Sequence, residues 1–218
     1  MAPIIEVNQE DLERLNQLKI PYQLKEEISR VENSKDNFIY VPSVNLYVAR
    51  ERTHQRKNWH ESHKSLAQEN SRMPTIPEWI EFAKYVRENA PEVYEDVTAV
   101  KNPWRAEWSD AYFEQREDGL YILTGNKTKA EKLDEATLME DRTPGISLDS
   151  WLENPTNHGL PRKNVKKGNL YYWHPRNGIV ARFDADSDRT GLFCDRFPSD
   201  RVAYLGVRAV KNAESLAR

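Results

Sequence analysis

Cysteine is almost absent: Cys194 is the only one in 218 residues, so no intrachain disulfide and no multi-cysteine zinc or iron–sulfur site can form. The lone thiol reads as a small buried apolar group. An excess of one charge is also missing. Lys and Arg number 32 against 35 Asp and Glu, a net charge of −3, which leaves no general basic field to hold nucleic acid or an anionic membrane. The basic pairs Arg162-Lys163 and Lys166-Lys167 read as solvated loop charges. No apolar run approaches the roughly 20 residues of a membrane span. The Met1-Ala2-Pro3 start, followed by acidic residues, has neither the basic opening nor the apolar stretch of a secretory signal. The expectation is a chain that begins near Met1 without membrane insertion, in a cytosol or an assembled particle such as a virion. Glycine loops that cradle phosphate and Ser or Cys nucleophile motifs are lacking too, so neither cofactor nor catalysis is implied.

The rest reads as a few helices followed by many strands. Leu12, Leu15 and Leu18 within Asp11–Leu18, then Ile28 and Val31 within Leu24–Val31, are spaced as in short helices broken at Pro21, which makes residues 1–36 a helical N-terminal segment. Residues 37–49 are rich in β-branched and aromatic side chains and are interrupted by Pro42, which predicts two short strands. Trp59, His63 and Leu66 lie along one face of a helix over 58–69. Thr75 caps a second, over about 77–88, in which Ile76, Trp79, Ile80 and Ala83 form the apolar stripe. Further strands are expected at 120–124, 168–173, 178–183 and 202–210, with a charged surface loop containing a helical turn over 127–142. The fold class expected is α+β with two helices.

Two metal motifs fail on spacing. His60 and His63 stand three apart, not at the i, i+4 spacing of a zinc-binding helix. Asp184, Asp186 and Asp188 alternate like the opening of a calcium loop, but Arg189 and Asp195 occupy the places that need glycine and glutamate. What survives is an alternative reading, a calcium-dependent carbohydrate-binding domain or an enzyme built on this aspartate cluster.

Residues 176–210 differ from everything before them. Glu, Lys, Gln, Met and Trp supply 49 of the first 175 residues and none of the 35 from Arg176 to Val210. A dry core strand could exclude them, but this stretch holds five aspartates. The five missing types share one property of the genetic code: no codon ending in a pyrimidine encodes them. Phe193, Asp195, Phe197, Asp200, Val202 and Tyr204 recur almost every second residue, the period that sends side chains to one face of a strand. With Asp184, Asp186, Asp188 and Gly191 they make ten positions, each reachable from an asparagine codon by changing only its adenines.

In this the chain resembles the variable proteins of diversity-generating retroelements, of viral or prokaryotic type. The resemblance rests on Val180–Asp188, Leu192–Arg201 and Leu205–Val210, and on Arg72-Met-Pro-Thr-Ile-Pro-Glu-Trp79, which is similar to a helix-start motif of the formylglycine-generating-enzyme branch. It implies a C-type lectin-like domain over 37–218 with several short, mainly antiparallel strands and a variable region at about 180–208. The paired cysteines of that branch's oxidase are missing, and Glu153-Asn-Pro155 does not match the calcium-lectin loop, so neither activity is carried over. The implied function is binding of a variable macromolecular partner, a protein, with receptor recognition as the type. The ten positions would face solvent on a platform of buried Leu192, Cys194, Leu205 and Val207, with Trp79, Trp104, Trp108 and Trp173 in the core. On that expectation, serine at Phe193, Phe197 and Tyr204 together abolishes binding and leaves folding intact.

Overall fold

Reciprocal caps explain the two helix starts that are plainest in the sequence. In the computed structural model, which describes residues 37–216, Asn58 accepts from the Glu61 amide and Thr75 from the Glu78 amide, and each glutamate accepts from the cap's own N–H. Caps of this kind are worth about 1 kcal/mol each. The helices expected before residue 37 lie outside the described residues.

In chain order the elements are β1 (Phe38–Val41), β2 (Leu46–Thr53), α1 (Trp59–Gln68), α2 (Ile76–Asn89), α3 (Pro91–Thr98), β3 (Arg105–Arg116), β4 (Gly119–Thr124), β5 (Lys129–Lys132), β6 (Arg142–Ile146), α4 (Leu148–Glu153), β7 (Leu170–Trp173), β8 (Val180–Ala185), β9 (Thr190–Arg196) and β10 (Leu205–Asn212). Pro42 ends β1 and starts a 3-10 turn to Val44, which separates the first two strands.

All ten strands join one sheet in the order β1-β2-β10-β3-β8-β9-β7-β6, with β4 and β5 branching from β3. This overturns the lectin-like α+β expectation. The sheet is mixed, since β10 runs parallel to β3 and β7 parallel to β9, and four α-helices accompany it among the described residues. Period and propensity identify strands but not which distant strand each will meet. They also missed α3 and α4, which are only 8 and 6 residues long and carry barely two turns of periodicity. The loop expected over 127–142 contains β5. All four of its residues are exposed, so it shows no alternation, and it is held by backbone pairing to β4 with Tyr121 opposite Lys132.

The two faces of the sheet have separate cores. On one, Leu46, Val48, Phe113, Ala181, Phe183, Leu192 and Cys194 pack with Trp79, Phe82 and Val86 of α2 and Trp151 of α4. On the other, Ala106, Trp108, Val180, Leu205 and Val207 pack with Trp59 and Leu66 of α1. At about 25 cal/mol per Å² of apolar area, each fully buried tryptophan supplies roughly 2–3 kcal/mol or more. On the α2 side, against the Phe82 ring, lies a buried ion pair. Arg208 donates to both Glu107 oxygens, from Nη2 at 2.6 Å and Nε at 3.1 Å, and its remaining nitrogen, Nη1, donates to the carbonyls of Ala49 and Arg50. Burial alone pushes the Glu107 carboxyl up, but the Arg208 charge and hydrogen bonds outweigh it and bring its pKa down to about 2.

Candidate binding surface

Strand register places four of the ten positions side by side. Ala106 faces Asp184, Asp184 faces Gly191, and Gly191 faces Tyr171 across β3, β8, β9 and β7; in the next row Trp108 faces Arg182, then Phe193, then Trp173. Directly opposed residues share a face, so Asp184, Gly191, Phe193 and, two residues on, Asp195 all lie on the α1 side of the sheet. Leu192 and Cys194 point the other way and are 1% and 0% exposed, and burial pushes the Cys194 thiol well above its ordinary pKa.

Facing one way is not the same as facing solvent. Phe193 is 6% exposed, Asp184 is 8% exposed, and Gly191 is buried. This corrects the expectation that all ten positions are surface-directed. Phe193 lies edge-on to Trp173 at 5.8 Å, and Arg182 stands 5.0 Å from the Phe193 ring centre. A Cβ at Gly191 would come within 2.5 Å of the Phe193 ring and 2.6 Å of the Tyr171 carbonyl oxygen, so any side chain there must move backbone. Arg182 donates to Asp184 Oδ2 at 3.1 Å and to Asp195 Oδ1 at 2.5 Å. Desolvation raises the pKa of Asp184, an effect that Arg182 only partly offsets, and its Oδ1 has no hydrogen-bond partner.

Asp186 and Asp188 sit in the β8–β9 turn. Asp186 Oδ1 accepts from the amides of Asp188 and Arg189, both at 3.0 Å, a local Asx turn, and the Arg189 side chain bonds Asp188 at 2.9 Å. The three alternating aspartates thus bond to Arg182, Arg189 and the turn backbone, and do not converge. Among the described residues no three His, Cys, Asp or Glu side chains are grouped to hold a metal ion.

The remaining four positions belong to the segment between β9 and β10. It leaves the sheet at Arg196, opposite Val180, and rejoins it at Leu205, opposite Ala106, so it crosses the α1 side of the sheet. Trp59 of α1 donates its amide to the Pro198 carbonyl at 3.0 Å, and Arg201 pairs with Glu61, the same glutamate that closes the α1 cap. Two tight turns, Asp200 to Phe197 and Leu205 to Val202, hold the segment's own backbone. Val202 and Tyr204 are half-buried against the α1-side core. Phe197 is 59% exposed. Arg196 links the segment's two ends, lying 3.4 Å from the Tyr204 hydroxyl and 3.6 Å from Asp200.

Sequence reasoning placed Trp104 in the core, but it is 48% exposed and meets Tyr204 edge-on at 5.5 Å. Trp79 and Trp108 are buried, and Trp173 is half-buried. Val100, at 56%, is exposed nearby, since the Lys101 amide bonds the Asp186 carbonyl at 2.7 Å and so brings residues 100–104 beside the β8–β9 turn. A large aromatic after Pro103, outside any periodic element, was the available signal for Trp104. Two surface clefts, one of about 210 Å³ lined by Lys132, Thr137, His158 and Arg162 and one by Glu140, Asp141, His174 and Arg176, include none of the ten positions. Of the ten, Asp188 and Phe197 are exposed, Asp186, Asp195, Asp200, Val202 and Tyr204 are half-buried, and Asp184, Gly191 and Phe193 are buried.

No protein-family model, curated protein or solved structure matches the chain.

Proposed function

We propose that this protein is a non-enzymatic, hypervariable binding protein, of receptor-recognition type, whose diversified residues contact a macromolecular partner through the segment 197–204 and the adjoining β8–β9 turn. The observation that carries this reading is the pair of exposed rings: Phe197, on a segment pinned to α1 through the Pro198 carbonyl and the Arg201 side chain, and Trp104, which meets the far end of that segment at Tyr204. Large aromatics left in water on a rigid support are what binding hot spots require: much contact area and little conformational entropy to lose. Asp188, Asp200 and Arg201 around them supply the charged rim that steers association. An exposed ring beside a charged rim suits a protein partner.

The test has two parts. The coding DNA is expected to have a nearby near-copy of the 180–208 region that differs only where the copy has adenine, beside a reverse-transcriptase gene. A display library randomised at Phe197, Asp200, Val202 and Tyr204 should keep cooperative unfolding in most members and yield binders to unrelated proteins. A locus without the copy, together with a library that does not fold, refutes the reading.

A further inference from the structure

Three of the ten positions meet one residue that is not among them. Arg182 bonds Asp184 and Asp195 and stands against the Phe193 ring, with its own side chain 6% exposed. Among the described residues, those two carboxylates are the only groups that accept its hydrogen bonds. An arginine keeps its charge at any ordinary pH, so a buried one must be answered by acceptors within reach.

We infer that Arg182 is the specificity-limiting residue of this surface: it confines positions 184, 193 and 195 to combinations that keep a hydrogen-bond acceptor at 184 or 195. The inference rests on the binding reading above and sharpens it. Changing the adenines of an asparagine codon that ends in a pyrimidine gives, among others, Asp, Asn, Ser, Thr, Tyr and His, which can accept from Arg182. It also gives Val, Leu, Ile, Phe and Ala, which cannot, and Arg, which would place a second cation beside it. Two apolar choices at 184 and 195 strand a buried charge. The inner face is therefore held to an acceptor-rich composition whatever the outer segment carries. A partner that reaches it must offer donors: backbone amides, hydroxyls, ammonium or guanidinium groups.

The experiment randomises positions 184, 193 and 195 together in the full chain, in the native background and with Arg182→Met, and sorts both libraries for protease resistance. In the native background, folded survivors should be enriched about tenfold for an acceptor at 184 or 195, the ratio expected for one buried charge-assisted hydrogen bond. With Arg182→Met that enrichment should vanish and apolar pairs should take over; with Arg182→Lys part of it should return. Equal residue distributions in the native and Arg182→Met libraries overturn the proposal. So does a native library without acceptor enrichment, even if the Arg182→Met library yields no folded member. The readout is folding alone, so its outcome is independent of whether the surface binds a partner, which the locus and the binding selection decide.

Discussion

The inner face of β8 and β9 and the segment from Phe197 to Tyr204 carry the same mixture of aspartates and rings at nearly the same period, yet they sit in different surroundings. On the inner face, Phe193 is 6% exposed and its neighbours are tied to Arg182; on the segment, Phe197 is 59% exposed. A side chain on a sheet face is accessible only as far as nothing lies over that face. Here residues 197–204 and α1 lie over part of it. Exchange should therefore be cheap on the segment and expensive beneath it.

The largest effect expected is at Arg182. Arg182→Met leaves the Asp184 and Asp195 carboxylates without their cation and should cost about 3–5 kcal/mol of unfolding free energy, measured by urea titration at neutral pH. A loss as small as that of an exposed ion pair would erase the distinction between the two regions. Next comes Phe193→Ser, with an expected loss of about 3 kcal/mol from the vacated ring site against Trp173. The same change would make the triple serine variant at Phe193, Phe197 and Tyr204 unstable, contrary to the expectation from sequence.

Acid sharpens the contrast between two buried carboxylates. Glu107 has a folded pKa of about 2 against an ordinary 4.5, so its contribution is complete above 4.5 and is lost as the pH falls toward 2. Asp184 is shifted the other way: a carboxyl raised on folding favours the native state below its unfolded pKa, and that contribution disappears as the pH rises through the folded value. Asp184→Asn, which can still accept from Arg182, should thus hold or slightly raise the thermal midpoint at neutral pH, whereas Glu107→Gln should lower it. Thermal melts at neutral pH and below pH 4 check both signs. The smallest effect is Phe197→Ser, which should change stability by less than about 0.5 kcal/mol. A larger fall would mean that the ring is packed and would move the segment into the same class as the inner face.

Much of the local structure was legible in the sequence. The Thr75 cap, the break at Pro42 and the burial of Leu192, Cys194, Leu205 and Val207 follow from side-chain chemistry within a few residues of each position. The period likewise showed that Phe193 and Asp195 would share a face, while the strand register brought Asp184 and Gly191 to the same face. The exposure of Trp104, the burial of Phe193 and the closeness of Gly191 to the Tyr171 backbone were not legible. Each depends on which distant segment lies against the residue.

By itself the sequence determined the composition of residues 176–210, the alternation of aspartates and rings with small residues and arginines, and the Thr75 helix cap, because these are set by the residue types and by contacts along the chain. Only the tertiary structure decided that β10 enters the sheet between β2 and β3, that the segment 197–204 crosses the face that β8 and β9 present, and that Arg182 binds two of the ten positions. The physical reason is that a period fixes the direction of a side chain relative to its own strand, whereas burial and charge pairing are fixed by what packs on top.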